Sequence, residues 1–415
     1  MKSYALIFPG QGAQYVGMGK ELFDRFESVK TLFKKANEIL GFDLQKLCFE
    51  GPISELTKTV NTQPAILTCS IAAYYALLEG NETLPSYTAG HSLGEFSALV
   101  IAGVLTFEDA LRIVRKRGEL MQEAISNGTG AMAAIANLDK DSIISICNEL
   151  STETEFVVPS NYNSPKQIVI SGSENLVKKA CKKCSDKGAM AIPLKVSAPF
   201  HSPYMENAAE GLRKEIAKYN LGEFKCPVIS NVTGEPYSNK NEVTEMLVSQ
   251  MINAVQWHKT IDFITDNGIE EFVELGPNTI LKRLIKTCNK DVKTWSSDDN
   301  MDEIISKFSS NNNRDMNRNK VISKCISIAV STKNRNFDKN EYQQGVIDNY
   351  NKLNDLNQNI EDNKLEATDA QMNTAMGWLQ DILNTKKTPK SEKQSRIKEL
   401  MTDTGTVEFF SETVK

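Results

Sequence analysis

Gly90-His91-Ser92-Leu93-Gly94 constrains this chain more than any other stretch. It follows a short apolar run and precedes the helix-forming Glu95-Phe96-Ser97-Ala98-Leu99-Val100. A G-x-S-x-G placed between a strand and a helix is the pattern of a nucleophile elbow, a sharp turn that lifts the serine hydroxyl above a sheet edge. The two glycines are expected to permit the tight turn. The helix behind Ser92 would aim its first N–H groups at any anion forming there. The motif alone is common in unrelated chains, so its surroundings have to decide what it means.

The surroundings alternate strand-like and helix-like segments, which predicts an α/β layered domain. Tyr4 to Phe8 reads as a strand ending in a glycine turn, Gly17 to Leu40 as mostly helix, and Asn61-Thr62-Gln63-Pro64-Ala65 as the opening of a helix through Tyr75. Tyr87 to Gly90 leads into the elbow, and Phe107 to Ile125 is a helix carrying Arg112, Arg115 and Arg117. Asn127-Gly128-Thr129-Gly130 then breaks the pattern. The next segments read strand (Ala131 to Ala136), helix (Asp141 to Leu150), two strands (Phe156 to Val158 and Gln167 to Ser171) around a turn at Asn161 to Pro165, helix (Glu174 to Lys187) and strand (Met190 to Val196). That βαββαβ order is the order of a ferredoxin-like unit. The larger domain resumes with a helix from Ser202 to Tyr219, strands at Val228 to Asn231 and Glu271 to Pro277, and a helix from Val243 to Ala254.

The expected organisation is thus a core over 1–127 and 198–295, a small subdomain over 128–197, a polar linker over 296–320 and a helical carboxyl-terminal extension over 321–415. In the extension Val346, Tyr350, Leu353 and Ile360 stand near helical spacing. Thr368-Asp369-Ala370-Gln371 and Ser391-Glu392-Lys393-Gln394 both match the capping box, and amphipathic stretches follow them. The chain has 415 residues and a net charge of -5 without a basic block, which argues against nucleic acid as a partner. No apolar run reaches membrane-spanning length, and the amino end is too short in apolar residues for a signal peptide. Eight cysteines are scattered, with one C-x-x-C at Cys181 and Cys184 and no second pair at metal spacing, so free thiols in a reducing cytoplasm and no metal site are expected.

A serine nucleophile needs a base, and the chain has three histidines. His91 adjoins Ser92 and should point away from it. His258 is expected near the end of a helix, in solvent. His201 follows the last strand of the small subdomain, where the two subdomains should meet, and is the best candidate. An oxyanion hole needs two N–H donors. Leu93 supplies the first, and the turn Pro9-Gly10-Gln11-Gly12 fits the second. No acid stands out as a third member: Asp262, Asp266, Glu271 and Glu274 are open by position, and a backbone carbonyl could orient the imidazole instead. Of the three arginines, a buried one would bind a carboxylate bidentately.

Taken together, Phe8-Pro9-Gly10-Gln11-Gly12, Gln63-Pro64-Ala65, Gly90-His91-Ser92-Leu93-Gly94-Glu95, Arg117, the Asn161-to-Pro165 segment, Pro199-Phe200-His201-Ser202, Asn231-Val232-Thr233-Gly234, Gln250 and Glu274-Leu275-Gly276-Pro277 resemble the malonyl-CoA:acyl carrier protein transacylases. The resemblance covers the chain to about residue 290. It implies an α/β-hydrolase-like large subdomain with a ferredoxin-like insert. It implies Ser92 as the nucleophile that carries malonyl as an ester, His201 as base and then acid, and Gln11 and Leu93 as the oxyanion hole. Arg117 would pair with the malonyl carboxylate, Met121 and Phe200 would line the substrate site with Gln63 as a polar residue one layer behind, and the Gln250 carbonyl would orient His201. The implied substrates are malonyl-CoA and the phosphopantetheine arm of an acyl carrier protein, without a further cofactor. Phe200 resembles the pattern for malonyl over branched units, and one methyl group in a pocket is worth roughly 1–3 kcal/mol.

The carboxyl-terminal extension departs from the stand-alone transacylases of fatty-acid synthesis. Together with the Val228-to-Tyr237 stretch it points to a discrete acyltransferase serving, in trans, the carrier domains of a polyketide synthase. The alternatives are a fatty-acid transacylase with an appended tail, an acyl hydrolase that clears carrier proteins, and a non-catalytic scaffold. The last two have no physical need for Ser92, His201 and Arg117 together.

Overall fold

The computed structural model describes residues 3–78, 84–124, 130–194, 196, 198–308, 318–363, 365–407 and 409–410. The chain divides into two compact units, Met1–Ser309 and Ser310–Lys415. The break expected at 127–129 lies outside the described residues.

In the first unit, β1 (Ala5–Phe8) lies at the centre of a five-stranded parallel sheet. Its neighbours are β2 (Tyr87–Gly90) and β8 (Glu271–Glu274), flanked by β7 (Val228–Ile229) and β9 (Lys293–Ser296). Leu6 stands opposite Thr88 on one side and Val273 on the other. All four residues of β1 are buried, because helices cover both faces of a parallel sheet. That double burial is why β1 reads as a continuous apolar run. One covering helix, Thr59–Leu78, has buried residues around nearly its whole circumference.

A second, four-stranded sheet has the order β4-β5-β3-β6, from β3 (Gly130–Ala136), β4 (Val157–Ser164), β5 (Gln167–Ser173) and β6 (Met190–Pro193). All its pairs are antiparallel. Helices Lys140–Leu150 and Glu174–Asp186 pack Ile143, Ile146, Leu176 and Val177 on one face of it, against Ile135, Ile168 and Ile170.

Three expectations are corrected. First, Asn161 to Ser164 is strand, not turn: β4 continues through it with two irregularities, and the chain reverses at Pro165-Lys166. Asn and Ser favour turns when isolated. Here Tyr162 N–H donates to Val255 O at 2.9 Å and Val255 N–H to Ser160 O at 2.9 Å, so the segment is paired on both edges. Second, the expected linker begins instead with the end of β9 and a helix, Ser297–Phe308. Met301, Ile304 and Phe308 recur at helical spacing and enter the main core, a signal hidden among polar neighbours. Third, Ser391 caps nothing, because the helix Lys390–Thr404 already starts one residue earlier, behind Pro389.

In the second unit, helices Arg318–Ser331, Asp348–Asp362, Asp369–Thr385 and Lys390–Thr404 share one apolar core that includes Val321, Leu353, Met376, Leu379, Leu383 and Leu400. Thr368 and Gln371 form the reciprocal capping box. Lys386 is buried, and its ammonium donates to Ala329 O at 2.6 Å and Thr332 O at 2.9 Å, which satisfies carbonyls left open at a helix end. Among the described residues no helix is long and apolar enough to cross a membrane.

A methyl group on Gly94 would stand 2.0 Å from Phe8 O. Gly94→Ala should therefore destabilise the first unit by about 3 kcal/mol or more. Tryptophan fluorescence of a Trp378→Phe background reports the first unit alone, through Trp257 and Trp295. A denaturation midpoint unchanged by Gly94→Ala would show that β1 and the elbow are not in tight contact.

Candidate active site

β2 runs straight into the elbow. Ser92 has φ 51°, in the left-handed region where a side chain costs strain. The turn's unusual angle thus falls on the serine and not on the glycines, contrary to the expected role of Gly90 and Gly94. The glycines are required by proximity: a Cβ on Gly90 would lie 1.9 Å from the Gly94 carbonyl carbon. The strain is held by Asn231, which follows β7. Its Oδ1 accepts from Ser92 N–H at 2.6 Å and its Nδ2 donates to Gly90 O at 2.6 Å.

His201 also has positive φ, 55°. Its Nε2 is 2.8 Å from Ser92 Oγ and its Nδ1 is 2.7 Å from Gln250 O. A carbonyl only accepts, so Nδ1 carries the proton and Nε2 is left to accept from the hydroxyl. Burial, and then the positive charge of Arg117, hold the imidazole neutral by pushing its pKa down to about 3. His91 faces away, with Nε2 2.9 Å from Asn163 Oδ1 and its ring against Trp257. His258 sits at the start, not the end, of helix Trp257–Asp266 and is 3.3 Å from Asp262 Oδ2. Glu274 is spent on the helix Ile280–Cys288, accepting from the N–H groups of Leu281 and Lys282. No carboxylate hydrogen-bonds to His201 among the described residues; the carbonyl takes that place.

Arg117, on helix Phe107–Glu123, is the buried arginine of its helix, whereas Arg112 and Arg115 reach solvent. Its Nη2 donates to Ser92 Oγ at 3.1 Å and Gln250 Oε1 at 2.8 Å, and its Nη1 to Gln63 Oε1 at 3.0 Å. Its Nε has no partner among the described residues. Burial lowers its pKa to about 10, so it stays charged at neutral pH. Ser92, His201, Arg117, Gln11, Met121 and Phe200 line one cavity of about 480 Å³. Gln63 does not: it is wholly buried behind Arg117, with its Nε2 on Met121 Sδ at 3.2 Å. Among the described residues, neither the Gln11 nor the Leu93 backbone N–H has an acceptor within the protein.

Comparison with known proteins fits this geometry. The acyl transferase domain family matches residues 5–327. A Bacillus subtilis malonyl CoA-acyl carrier protein transacylase is 36% identical over 394 residues, 94% of this chain and 98% of its own. The chain belongs to the malonyl CoA-acyl carrier protein transacylase family. It is an acyltransferase. A relative of the same name from Bacillus subtilis strain 168 is 43% identical over 300 residues, 72% of this chain and 94% of its own. The Coxiella burnetii transacylase structure matches with TM-score 0.71 and 39% identity, covering 74% of this chain and 96% of that one. A malonyl-transacylase solved with a type II PKS acyl-carrier protein matches with TM-score 0.68 and 40% identity, covering 71% of this chain and 95% of that one.

Sequence reasoning missed three parts of the transacylase site. One is the Asn231 side chain. Another is the Gln250 amide, which donates to Ser92 O at 2.9 Å and Glu95 Oε2 at 2.6 Å. The third is Glu95, wholly buried three residues after Ser92. Burial raises its pKa to about 7 against the pull of Tyr237, Gln250, Asn231 and Arg117. The hint was available, since a glutamate on an otherwise apolar helix has to be buried with donors.

His201 binds no proton in the folded state until far below the ordinary imidazole range, whereas the unfolded chain takes one near pH 6.5. Its contribution to stability is therefore fully present above pH 6.5 and is lost as pH falls toward 3. An imidazole nitrogen NMR titration should find His201 neutral throughout pH 8 to about 5. A midpoint inside that window would mean that the ring is solvated.

Proposed function

We propose that the enzyme transfers a malonyl group from malonyl-CoA to the phosphopantetheine thiol of an acyl carrier protein through an ester on Ser92. The observation that carries this reading is the Arg117 guanidinium 3.1 Å from Ser92 Oγ, a carboxylate partner standing beside a nucleophile. In this reading the large subdomain is α/β-hydrolase-like and the inserted sheet is ferredoxin-like.

The Ser92 hydroxyl gives its proton to His201 Nε2 as Oγ attacks the thioester carbonyl. The N–H groups of Gln11 and Leu93 receive the developing oxyanion. Collapse breaks the carbon–sulfur bond, and CoA leaves as a thiol with the proton returned by His201. The carrier thiol then gives its proton to the same nitrogen and attacks the ester, and Ser92 leaves with that proton. The Gln250 carbonyl stabilises the imidazolium formed at each step. Arg117 holds the malonyl carboxylate throughout. The same arginine depresses His201 in the free enzyme. A bound carboxylate offsets that charge and makes Nε2 a better base, so a malonyl group assists its own transfer in a way acetyl cannot.

The enzyme is read further as a discrete acyltransferase that supplies polyketide synthase carriers. Two findings support this. Its second unit is shared with one Bacillus subtilis relative, while the strain 168 relative spans only 72% of this chain. A solved neighbour is a malonyl-transacylase in complex with its type II PKS acyl-carrier protein. Supply of fatty-acid synthesis is the second reading, favoured by the higher identity to the shorter relative. Buried free thiols suit a reducing compartment and a cytoplasmic enzyme.

Incubation with equal malonyl-, methylmalonyl- and acetyl-CoA, followed by intact mass, should give one malonyl adduct that is absent in Ser92→Ala. Label persisting in Ser92→Ala would remove the nucleophile assignment. Arg117→Ala should lose malonyl loading by at least about a hundredfold while acetyl loading is spared, because a charge-paired contact is worth about 3–5 kcal/mol when one partner is removed. Equal loss of both would remove the carboxylate role. Transfer by the full chain to a polyketide carrier, against a fatty-acid carrier, separates the two supply readings. Equal or inverted preference would favour fatty-acid synthesis.

A further inference from the structure

Glu95 takes no part in the transfer steps, yet it is buried beside all of them. Its Oε1 accepts from the Tyr237 hydroxyl at 2.5 Å and from Asn231 N–H at 3.2 Å, and its Oε2 from Gln250 Nε2 at 2.6 Å. A carboxylate without solvent is costly unless its surroundings are fixed donors. Here its presence in turn fixes the amide it touches. Gln250 Nε2 faces two acceptors, Glu95 Oε2 and Ser92 O, while its Oε1 faces Arg117 Nη2. Turned over, the amide oxygen would meet those acceptors and the amide nitrogen would meet a guanidinium, which only donates.

We propose that Glu95 is a positioning residue for carboxylated acyl groups, which locks the Gln250 amide and through it holds the Arg117 guanidinium against Ser92. This rests on the reading of Arg117 as the malonyl partner. The intervening amide has a purpose of its own. A carboxylate paired directly with Arg117 would occupy the donor fork that the acyl carboxylate needs. An amide between them passes on orientation and leaves Arg117 on the cavity wall.

Glu95→Gln keeps the shape and removes the charge, and it sets its own amide nitrogen against either Gln250 Nε2 or the Asn231 N–H, both of which donate, so the Gln250 amide loses a fixed acceptor. Its acylation by malonyl-CoA should fall at least about tenfold in kcat/KM, mainly through KM, while acylation by acetyl-CoA changes less than about threefold. Circular dichroism and thermal unfolding establish that the variant is folded. A folded Glu95→Gln protein with an unchanged malonyl-to-acetyl ratio, or with equal losses for both donors, overturns the proposal. Should that variant not fold, Tyr237→Phe removes one donor and keeps the carboxylate. It should lower the same ratio by a smaller factor, and an unchanged ratio there overturns the proposal as well. Wild-type protein forming no malonyl ester on Ser92 would overturn the transfer reading itself, and this one with it.

Discussion

The backbone carbonyl of Gln250 accepts the Nδ1–H of His201 at 2.7 Å, while its side-chain amide reaches Arg117, Glu95 and the Ser92 carbonyl within 2.9 Å. One residue on the helix Val243–Ile252 thereby ties the imidazole to the guanidinium and both to the elbow. The members of this group resist rearranging alone, because Arg117, Glu95, His201 and Gln250 are buried and a partner lost there would stay unsatisfied. The site needs that rigidity. A charged arginine and a carboxylate share a dry interior across one amide, and burial shifts each toward its neutral form.

Strain concentrates at the same place. Ser92 and His201 both sit in the left-handed region, and they face each other across 2.8 Å. Two such residues persist only where the surroundings over-determine them. Asn231 does this for the elbow, bonding to both sides of the turn from the end of β7. Gln250 does it for the imidazole. The second sheet contributes to the cavity, because β4 bonds across to Val255 and its Asn161 and Asn163 line the same cavity as Ser92. The segment that reads as a turn is thus the seam between the second sheet and the chain leading into the helix Trp257–Asp266.

Legibility in the sequence followed the range of the interaction. β1, β2, β7 and β8 were legible as short runs closed by turns, and the elbow because its signature is five consecutive residues. The Thr368 capping box was legible for the same local reason. β9, Lys293-Thr294-Trp295-Ser296, carries no apolar run and was not expected. The helix Ser297–Phe308 was not, since its apolar residues are spread among acids and polar groups and matter only once a core receives them. Gln63 lies behind the cavity wall, where its amide holds the buried Arg117.

By itself the sequence determined the α/β layering, the elbow with Ser92, the choice of His201 among three histidines, and the helical character of the carboxyl-terminal unit. These rest on periodicity, on residue chemistry and on contacts between near neighbours. Tertiary structure alone decided that the strained angle belongs to Ser92 and that Asn231, Glu95 and the Gln250 amide belong to the site. Each of those depends on groups far apart in the chain, up to 158 residues between Gln250 and Ser92. Burial, which gives such contacts their strength, exists only after the sheets have closed around them.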